Sequence, residues 1–412
     1  MNILLIYQYF LQVKGSGGLR FNEMTRKWSE MGHHITVLSG MIYHNSGEKY
    51  PEYKGKIFVN EYHAENIKVI RCHDSEGSQK SFIARLRVYF TFVCTSLWAG
   101  LFKAREKYDI IIVSSPPLFV GIPAYILSLI KRVPYVFEVR DLWPESAIDT
   151  GVLTNNRLIK LAYWFESFIY RKAKLINVLT PAFYETLKEK KGVPEQKLIM
   201  IPNASDFSFS EEILKTFDRE AFRKKENLEG KFVIIYVGAH GVANHLDQLL
   251  DAGKALEDTN VLFLLIGQGM EKERLKQKVK EMNMINVRFM DPVPKKEVFK
   301  YILASEMGAS ILKKVDTFKT VYSNKTFDYM SCKKPILMAI DGVSKELIEK
   351  ADAGIFVEPE NPEDFAGKIR IYIKNPDLVK IQGENGYRYA KQYFDRNVLA
   401  KQYLTEIQKI CE

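Results

Sequence analysis

The sequence is poor in the features that would make a metal-, disulfide- or bilayer-dependent protein. Its 412 residues contain four cysteines, at positions 72, 94, 332 and 411. They have neither the close spacing of a zinc site nor the pattern of a disulfide framework, so structural thiols in a reducing cytoplasm are expected. No Asp-x-Asp triplet occurs to present paired carboxylates to a divalent cation. No recognised nucleic-acid-binding module is present, which argues against DNA or RNA as the partner. The apolar start at Met1 carries no preceding basic segment and no small-residue cleavage site, so no secretory leader is expected there.

What is present fits a globular chain long enough for two cores: 46% of residues are hydrophobic and 27% charged. The net charge is +10 and unevenly spread. Residues 1–200 hold 27 Lys and Arg against 18 Asp and Glu, whereas the remainder hold 33 against 32. The N-terminal half is therefore expected to meet an anionic partner, the alternative being a generally basic protein.

Apolar runs alternate with helical patterns throughout. Strands are expected at 2–10, 35–39, 67–71, Ile110–Ser114, Tyr135–Val139, 175–179 and 198–201, with a helix over 19–31. The second half repeats the scheme, with strands at Phe232–Val237, Val261–Ile266, Val287–Met290, 308–312, 335–339 and 354–357, and helices that include 271–282 and 345–350. Continuous apolar strands between helices indicate parallel sheets covered on both faces. The fold class is α/β, with two doubly wound, Rossmann-like domains facing a central cleft. Residues 203–230, rich in Ser, Asp, Glu and Lys, are expected to be a linker. One segment stands apart. Residues 81–107 are aromatic and apolar, flanked by Arg85, Arg87, Lys103 and Arg105, and their uncharged core is shorter than the ~20 residues of a spanning helix. It reads equally as a helix on an anionic bilayer or as a helix buried in its domain.

Ligands in such sheets bind beyond the carboxyl ends of the strands. After the first strand, Gly15, Gly17 and Gly18 let backbone approach an anion. Arg20 stands where a dinucleotide fingerprint needs glycine, and Leu38-Ser39-Gly40 supplies no acidic residue for a ribose, so NAD is disfavoured. The stretch from Glu138 to Ser146 gathers three carboxylates, Arg140 and Trp143 at a strand end. Asp141 or Glu145 could orient or deprotonate a hydroxyl, Trp143 could stack on a sugar, and an Arg140–carboxylate structural pair is the plainer alternative. In the second half, Gly238, His240 and Gly241 follow one strand, and Gly267 and Gly269 the next. Both turns suit a phosphate, although glycine serves turn geometry as well. The most specific stretch runs from Asp316 to Met330. A helix opening near Ser323 brings Lys319 and Lys325 towards a diphosphate, with Thr320 in the same loop and Asp328 one turn in, placed for ribose hydroxyls.

These residues together resemble the family 4 glycosyltransferases of the GT-B fold, of the type that builds O-antigen, capsule or exopolysaccharide. The resemblance covers essentially the whole chain. It rests on Gly17-Gly18, Gly32-His33, Ser115-Pro116-Pro117, the stretch Val139 to Ser146, Val237-Gly238 with Gly241-Val242, Gly267-Gln268-Gly269, and Phe318 to Val321 leading into 323–330. The family implies an N-terminal acceptor domain over 1–205, rejoined by a final helix at 395–412, and a donor domain over 206–394. It implies a UDP-sugar donor, retention of configuration and no required metal or other cofactor. Lys325 then serves catalysis with Asp141 and Glu145, while Arg140 and Trp143 hold the acceptor. Two departures stand out. The family's Glu-x7-Glu pair is here Thr320 and Asp328, and Thr320 cannot act as a carboxylate. The Arg and Lys common at the first turn of the donor domain are replaced by Ala239 and Asn244-His245.

The expected function is transfer of a sugar, an N-acetylated hexosamine or a deoxyhexosamine, from UDP to a lipid-linked saccharide. The protein would sit in the cytoplasm at the inner membrane face. A nucleotide-sugar epimerase of the same shape and a non-catalytic nucleotide-sugar binder are the alternatives.

Overall fold

The computed structural model describes residues 1–12, 20–43, 47–77, 82–149 and 153–411. Gly17 and Gly18 lie outside the described residues, as does the rest of that expected glycine loop. The chain forms two compact units, Met1–Pro202 with Asn397–Glu412, and Asn203–Arg396.

The first unit is built on β1 (Asn2–Ile6), β2 (His34–Ser39), β3 (Phe58–Ala64), β4 (Ile67–Cys72), β5 (Ile110–Ser114), β6 (Tyr135–Val139), β7 (Leu175–Val178) and β8 (Leu198–Met200). Their order across the sheet is β3-β4-β2-β1-β5-β6-β7-β8. All pair in parallel except β3, which runs antiparallel to β4 at the edge. The sequence reading misses β3 because its residues, Phe-Val-Asn-Glu-Tyr-His-Ala, alternate between half-buried and exposed and never form an apolar run. Strand β1 is shorter than expected: beyond Ile6 the chain curls, with Tyr7 N–H donating to Leu38 O at 3.0 Å and Ser39 Oγ accepting from Phe10 N–H at 3.2 Å.

Within 81–107 the structure places a helix at Phe82–Phe102. The buried reading holds for one of its faces, and the other is exposed. Val88, Phe92 and Ala99 are buried in the unit, whereas Ile83, Phe90, Trp98 and Phe102 are exposed. Among the described residues no helix is long and apolar enough to cross a membrane. The last helix, Arg396–Cys411, buries Leu399, Tyr403 and Ile407. Trp28 Nε1 donates to Ala400 O at 2.9 Å and meets Tyr403 edge-on, pinning that helix to the first unit.

The second unit contains β9 (Phe232–Val237), β10 (Val261–Ile266), β11 (Val287–Met290), β12 (Met307–Ile311), β13 (Ile336–Ala339) and β14 (Gly354–Phe356), ordered β11-β10-β9-β12-β13-β14. Every pairing is parallel. Successive residues serve opposite faces: Val233, Ile235 and Leu264 join one core, and Ile234, Tyr236 and Phe263 the other. This two-sided burial is why the strands read as unbroken apolar runs. The order reverses between β9 and β12, which makes the carboxyl ends of those strands the place for a ligand.

Residues 203–230 are not a linker. They form helices Phe207–Leu214 and Arg219–Lys225, whose first N–H groups are met by the Asp206 and Asp218 side chains. Phe207 is fully buried, and Arg223 is buried with Nη1 donating to Glu306 Oε1 at 3.0 Å. The polar composition mistaken for a linker is helix-capping and ion-pairing chemistry. The two chain crossings also pair with each other inside this unit: Ser205 N–H donates to Phe394 O and Arg396 N–H to Ser205 O. This brings Asn203 to Ser205, Asp395 and Arg396 into the second unit rather than the first.

Candidate active site

In the second unit Lys319 lies beside Asp341 and Gly342, beyond β13, whereas Lys325, Gly238, His240, Gly267 and Gly269 come together at the carboxyl ends of β9 and β10. Helix Asn324–Ser331 opens there, with Ser323 extended in front of it. Lys325 is half-buried by its neighbours, and its Nζ lies 4.8 Å from the centre of the Tyr236 ring and 3.4 Å from Ser323 Oγ. Gly238 lies beside its stem: a Cβ there would come 3.3 Å from Lys325 Cε. Neither Tyr236 nor Ser323 is anionic, and among the described residues Lys325 has no ion-pair partner. Burial alone pushes its pKa down to about 8. An ammonium held this way is short of a counter-ion.

Lys319 differs. It is half exposed and already paired with Asp316 at 2.8 Å, with Asp341 at 4.0 Å. Thr320 spends its hydroxyl on Thr317 O at 2.7 Å, inside the turn Asp316–Thr320. Asp328 Oδ1 accepts from Ser205 Oγ at 2.7 Å. The sequence reading assigns Lys319 and Lys325 to the diphosphate and Asp328 to the ribose; the packing separates the two lysines, Lys325 being half-buried with no ion-pair partner among the described residues and Lys319 sitting in a solvated ion pair.

The glycines of the next turns have a mechanical reason. A Cβ on Gly267 would lie 1.8 Å from Gly238 O, and one on Gly269 would lie 2.3 Å from His240 O. The two loops press backbone to backbone, and His240 N–H donates to Gln268 O at 3.0 Å. Gly241 is roomier, with Asn244 Oδ1 3.7 Å from a Cβ placed there. His240 is fully buried, neither ring nitrogen has a hydrogen-bond partner among the described residues, and burial with Lys272 nearby pushes its pKa down to about 4. It is a neutral imidazole at ordinary pH and adds no charge for a phosphate. Lys272, which the sequence reading passes over, ties the loops together: its Nζ donates to Gly267 O at 2.7 Å, Met290 O at 2.9 Å and Asp291 Oδ1 at 2.7 Å.

In the first unit the second set lies beyond β6. Among the described residues Arg140 makes no salt bridge with a carboxylate, though Glu138 acts on it electrostatically. Its Nη1 donates to Tyr7 Oη at 2.6 Å, its guanidinium stands over the Tyr7 ring, and its buried Nε has no partner among the described residues. Glu138 is instead taken by Arg20, at 2.9 Å from Nη2, with Asn177 and Ser114 donating to the same carboxylate. Arg20 also donates to the carbonyls of Ile201 and Pro202. The residue that spoils a dinucleotide fingerprint is therefore the clamp of this sheet's carboxyl edge. Asp141 accepts from Ser146 Oγ at 3.0 Å, and burial, with Glu145 nearby, raises its pKa from the ordinary aspartate value. Glu145 is bound to Lys191 at 2.9 Å, and Lys191 also holds Glu166 at 2.5 Å. Of Glu138, Asp141 and Glu145, that leaves Asp141 without an ion pair among the described residues. Trp143 meets Phe119 edge-on at 5.9 Å. Among the described residues no group of three His, Cys, Asp or Glu side chains is arranged to hold a metal ion.

Two family models match the chain in tandem. Residues 15–204 match the glycosyl transferase 4-like domain and residues 218–389 match glycosyl transferases group 1. The chain belongs to the family 4 glycosyltransferases. Among curated relatives of this glycosyltransferase, WcaI of Escherichia coli, named for colanic acid biosynthesis, is 22% identical over 413 residues, covering 98% of this chain and 99% of that one. WbjE of Pseudomonas aeruginosa, named as a glycosyltransferase, is 22% identical over 64% of this chain and 66% of its own. Solved structures share the GT-B fold. A sucrose-phosphate synthase from Thermosynechococcus elongatus superposes with a TM-score of 0.76 at 16% identity, covering 99% and 98% of the two chains. HepE of Anabaena, solved with UDP, gives 0.71 at 16% identity, covering 99% and 100%.

Proposed function

We propose that this glycosyltransferase moves a sugar, an N-acetylated hexosamine or a deoxyhexosamine, from UDP to a lipid-linked saccharide during surface polysaccharide synthesis. It works peripherally at the inner membrane face, retains anomeric configuration and needs no metal. The observation that carries this reading is Lys325: a half-buried ammonium with no ion-pair partner among the described residues, at the reversal of strand order and beside a helix N-terminus. A UDP diphosphate supplies the missing negative charge. In transfer, the bond from the acceptor hydroxyl oxygen to the anomeric carbon forms as the bond from that carbon to the diphosphate oxygen breaks, the hydroxyl proton passes to the departing diphosphate, and Lys325 stabilises the departing charge. Asp141 accepts a hydrogen bond from the acceptor hydroxyl and orients it. Arg140 and Trp143 hold the acceptor sugar, and Asp328 with Ser323 meets the donor. The names of WcaI and WbjE and the UDP bound to HepE support this assignment.

Incubation with a panel of UDP-sugars, with and without lipid-linked saccharides, tests it. Release of UDP only when acceptor is present supports transfer, and Asp141→Asn then lowers turnover by at least about 100-fold while UDP binding persists. Conversion of a UDP-sugar to its epimer without acceptor contradicts it, as does the absence of any turnover.

A further inference from the structure

Helix Asn324–Ser331 carries two charges with separate surroundings. Lys325 lies against the Tyr236 ring, and burial alone lowers its pKa, with no carboxylate acting on it. Asp328 meets Ser205, whose Oγ donates to Asp328 Oδ1 at 2.7 Å. Ser205 stands 123 residues away in sequence and is fully buried. Two oxygens lie within reach of its hydroxyl. Ser331 Oγ is 3.3 Å away, whereas the carboxylate is nearer and charged, so the Ser205 proton belongs to Asp328. Ser331 gives its own proton to Asp328 O at 2.8 Å. The backbone of Ser205 is held at both of its polar groups. Its N–H donates to Phe394 O at 3.2 Å, and its carbonyl accepts from Arg396 N–H at 3.0 Å. Phe327, beside Asp328 on the helix, stacks on Phe394 at 4.6 Å. Two separate contacts therefore fix this helix against the same pair of chain crossings.

A helical aspartate has more than one rotamer, and recognition of a hydroxyl pair needs a single one. An ionised carboxylate accepts at about four positions, so accepting from Ser205 does not by itself exhaust Asp328. A donor that is buried and held at its own backbone is suited to choosing the rotamer, because water cannot take its place at low cost. We propose that Ser205 is a positioning residue of the donor site: its hydroxyl holds the Asp328 carboxylate in the rotamer that meets the ribose hydroxyls of the donor nucleotide. Ser205 acts through Asp328 and not on the nucleotide itself. The inference rests on the proposed UDP-sugar donor and goes further, because it gives a buried residue of the chain crossing control over the ribose contact.

The test uses the full chain and two probes, UDP and dideoxy-UDP, which lacks both ribose hydroxyls, with affinities read by calorimetric titration. Wild type is expected to prefer UDP by about tenfold. Ser205→Ala is expected to weaken UDP by about tenfold and to leave dideoxy-UDP, which reports folding and the diphosphate site, at its wild-type affinity. Ser205→Cys, whose thiol is a weak donor, is expected to fall between the two. In an Asp328→Ala background, Ser205→Ala is expected to cost nothing further, since the two residues act as one. Equal weakening of UDP and dideoxy-UDP would overturn the proposal and leave Ser205 a structural residue. Unchanged UDP affinity in Ser205→Ala would overturn it too, as would a full loss on top of Asp328→Ala. Wild type binding both nucleotides equally would overturn it while leaving Lys325 with the diphosphate. Wild type binding neither would strike the donor reading, and the role of Ser205 with it.

Discussion

Lys325 Nζ stands 4.8 Å from the centre of the Tyr236 ring and faces no carboxylate among the described residues. A cation over an aromatic face gains about 0.5–2 kcal/mol, which does not replace a counter-ion in a buried site. The site is therefore built for an anion, and its protonation couples to what binds. Folding pulls the pKa from 10.5 down to about 8. The unfolded chain thus binds more protons between those values, and the free protein gains stability as pH rises from about 8 to 10.5. UDP favours the charged form, so UDP affinity is full below about pH 8 and falls above it, by up to about tenfold per pH unit. Lys325→Arg keeps the charge at all these pH values and is expected to flatten that dependence. Calorimetric titration of UDP from pH 7 to 10 measures both.

The contact between Gly267 and Gly238 makes a steric prediction. A methyl group on Gly267 would stand 1.8 Å from Gly238 O, and the obstacle is backbone on both sides. Gly267→Ala must push apart the loops that shape the Lys325 site. UDP-induced stabilisation is expected to vanish, and the melting temperature of the free protein to fall, as read by calorimetry. Gly241→Ala, where the nearest atom is 3.7 Å away, is expected to leave both close to wild type.

Lys191 neutralises two carboxylates, one of them almost wholly buried. Even with that partner, burial raises the pKa of Glu166 to about 7. A carboxyl raised in the fold binds more protons there than in the unfolded chain, so its contribution is present at low pH and lost as pH climbs from about 4.5 towards 7. Lys191→Met removes the compensating charge and deepens this effect. The variant is expected to lose little stability at pH 5 and about 3 kcal/mol at pH 8, measured by urea unfolding.

The proposed independence of metal gives a direct assay. Phosphate charge assigned to Lys325 and a helix N-terminus needs no divalent ion, so transfer by the enzyme in EDTA is expected to match transfer in magnesium. A loss of more than about tenfold (some 1.4 kcal/mol of barrier) would require a cation in the donor site.

The parts of this molecule that are legible in the sequence are those governed by two-sided burial. Phe232–Val237 and Val261–Ile266 are buried nearly throughout, and the apolar run alone gives their bounds. Strand β3 and the helices at 207–225 escape because their stability comes from edge pairing, caps and ion pairs, which leave a polar composition. The site divides in the same way. Position in a loop or at a strand end marks Asp141 and Lys325 as candidates. Pairing decides among candidates, and pairing is tertiary: Asp316 occupies Lys319, Lys191 occupies Glu145, and Arg20 takes Glu138 from across the sheet. Arg20 and Lys272 left no local signature of their roles, since their partners are backbone carbonyls and carboxylates distant in sequence.

The most direct test of the donor assignment is thermal stability with UDP, GDP and dTDP, for wild type and Lys325→Gln. Ligand bound to the native state alone raises the melting temperature, by an equivalent of about 2.7 kcal/mol at one hundred times Kd. The account predicts stabilisation of wild type by UDP above GDP and dTDP, and its loss in Lys325→Gln while the free variant melts no lower than wild type, the uncompensated buried charge being gone. Equal stabilisation of wild type and Lys325→Gln by UDP, or no stabilisation by any nucleotide, would contradict it.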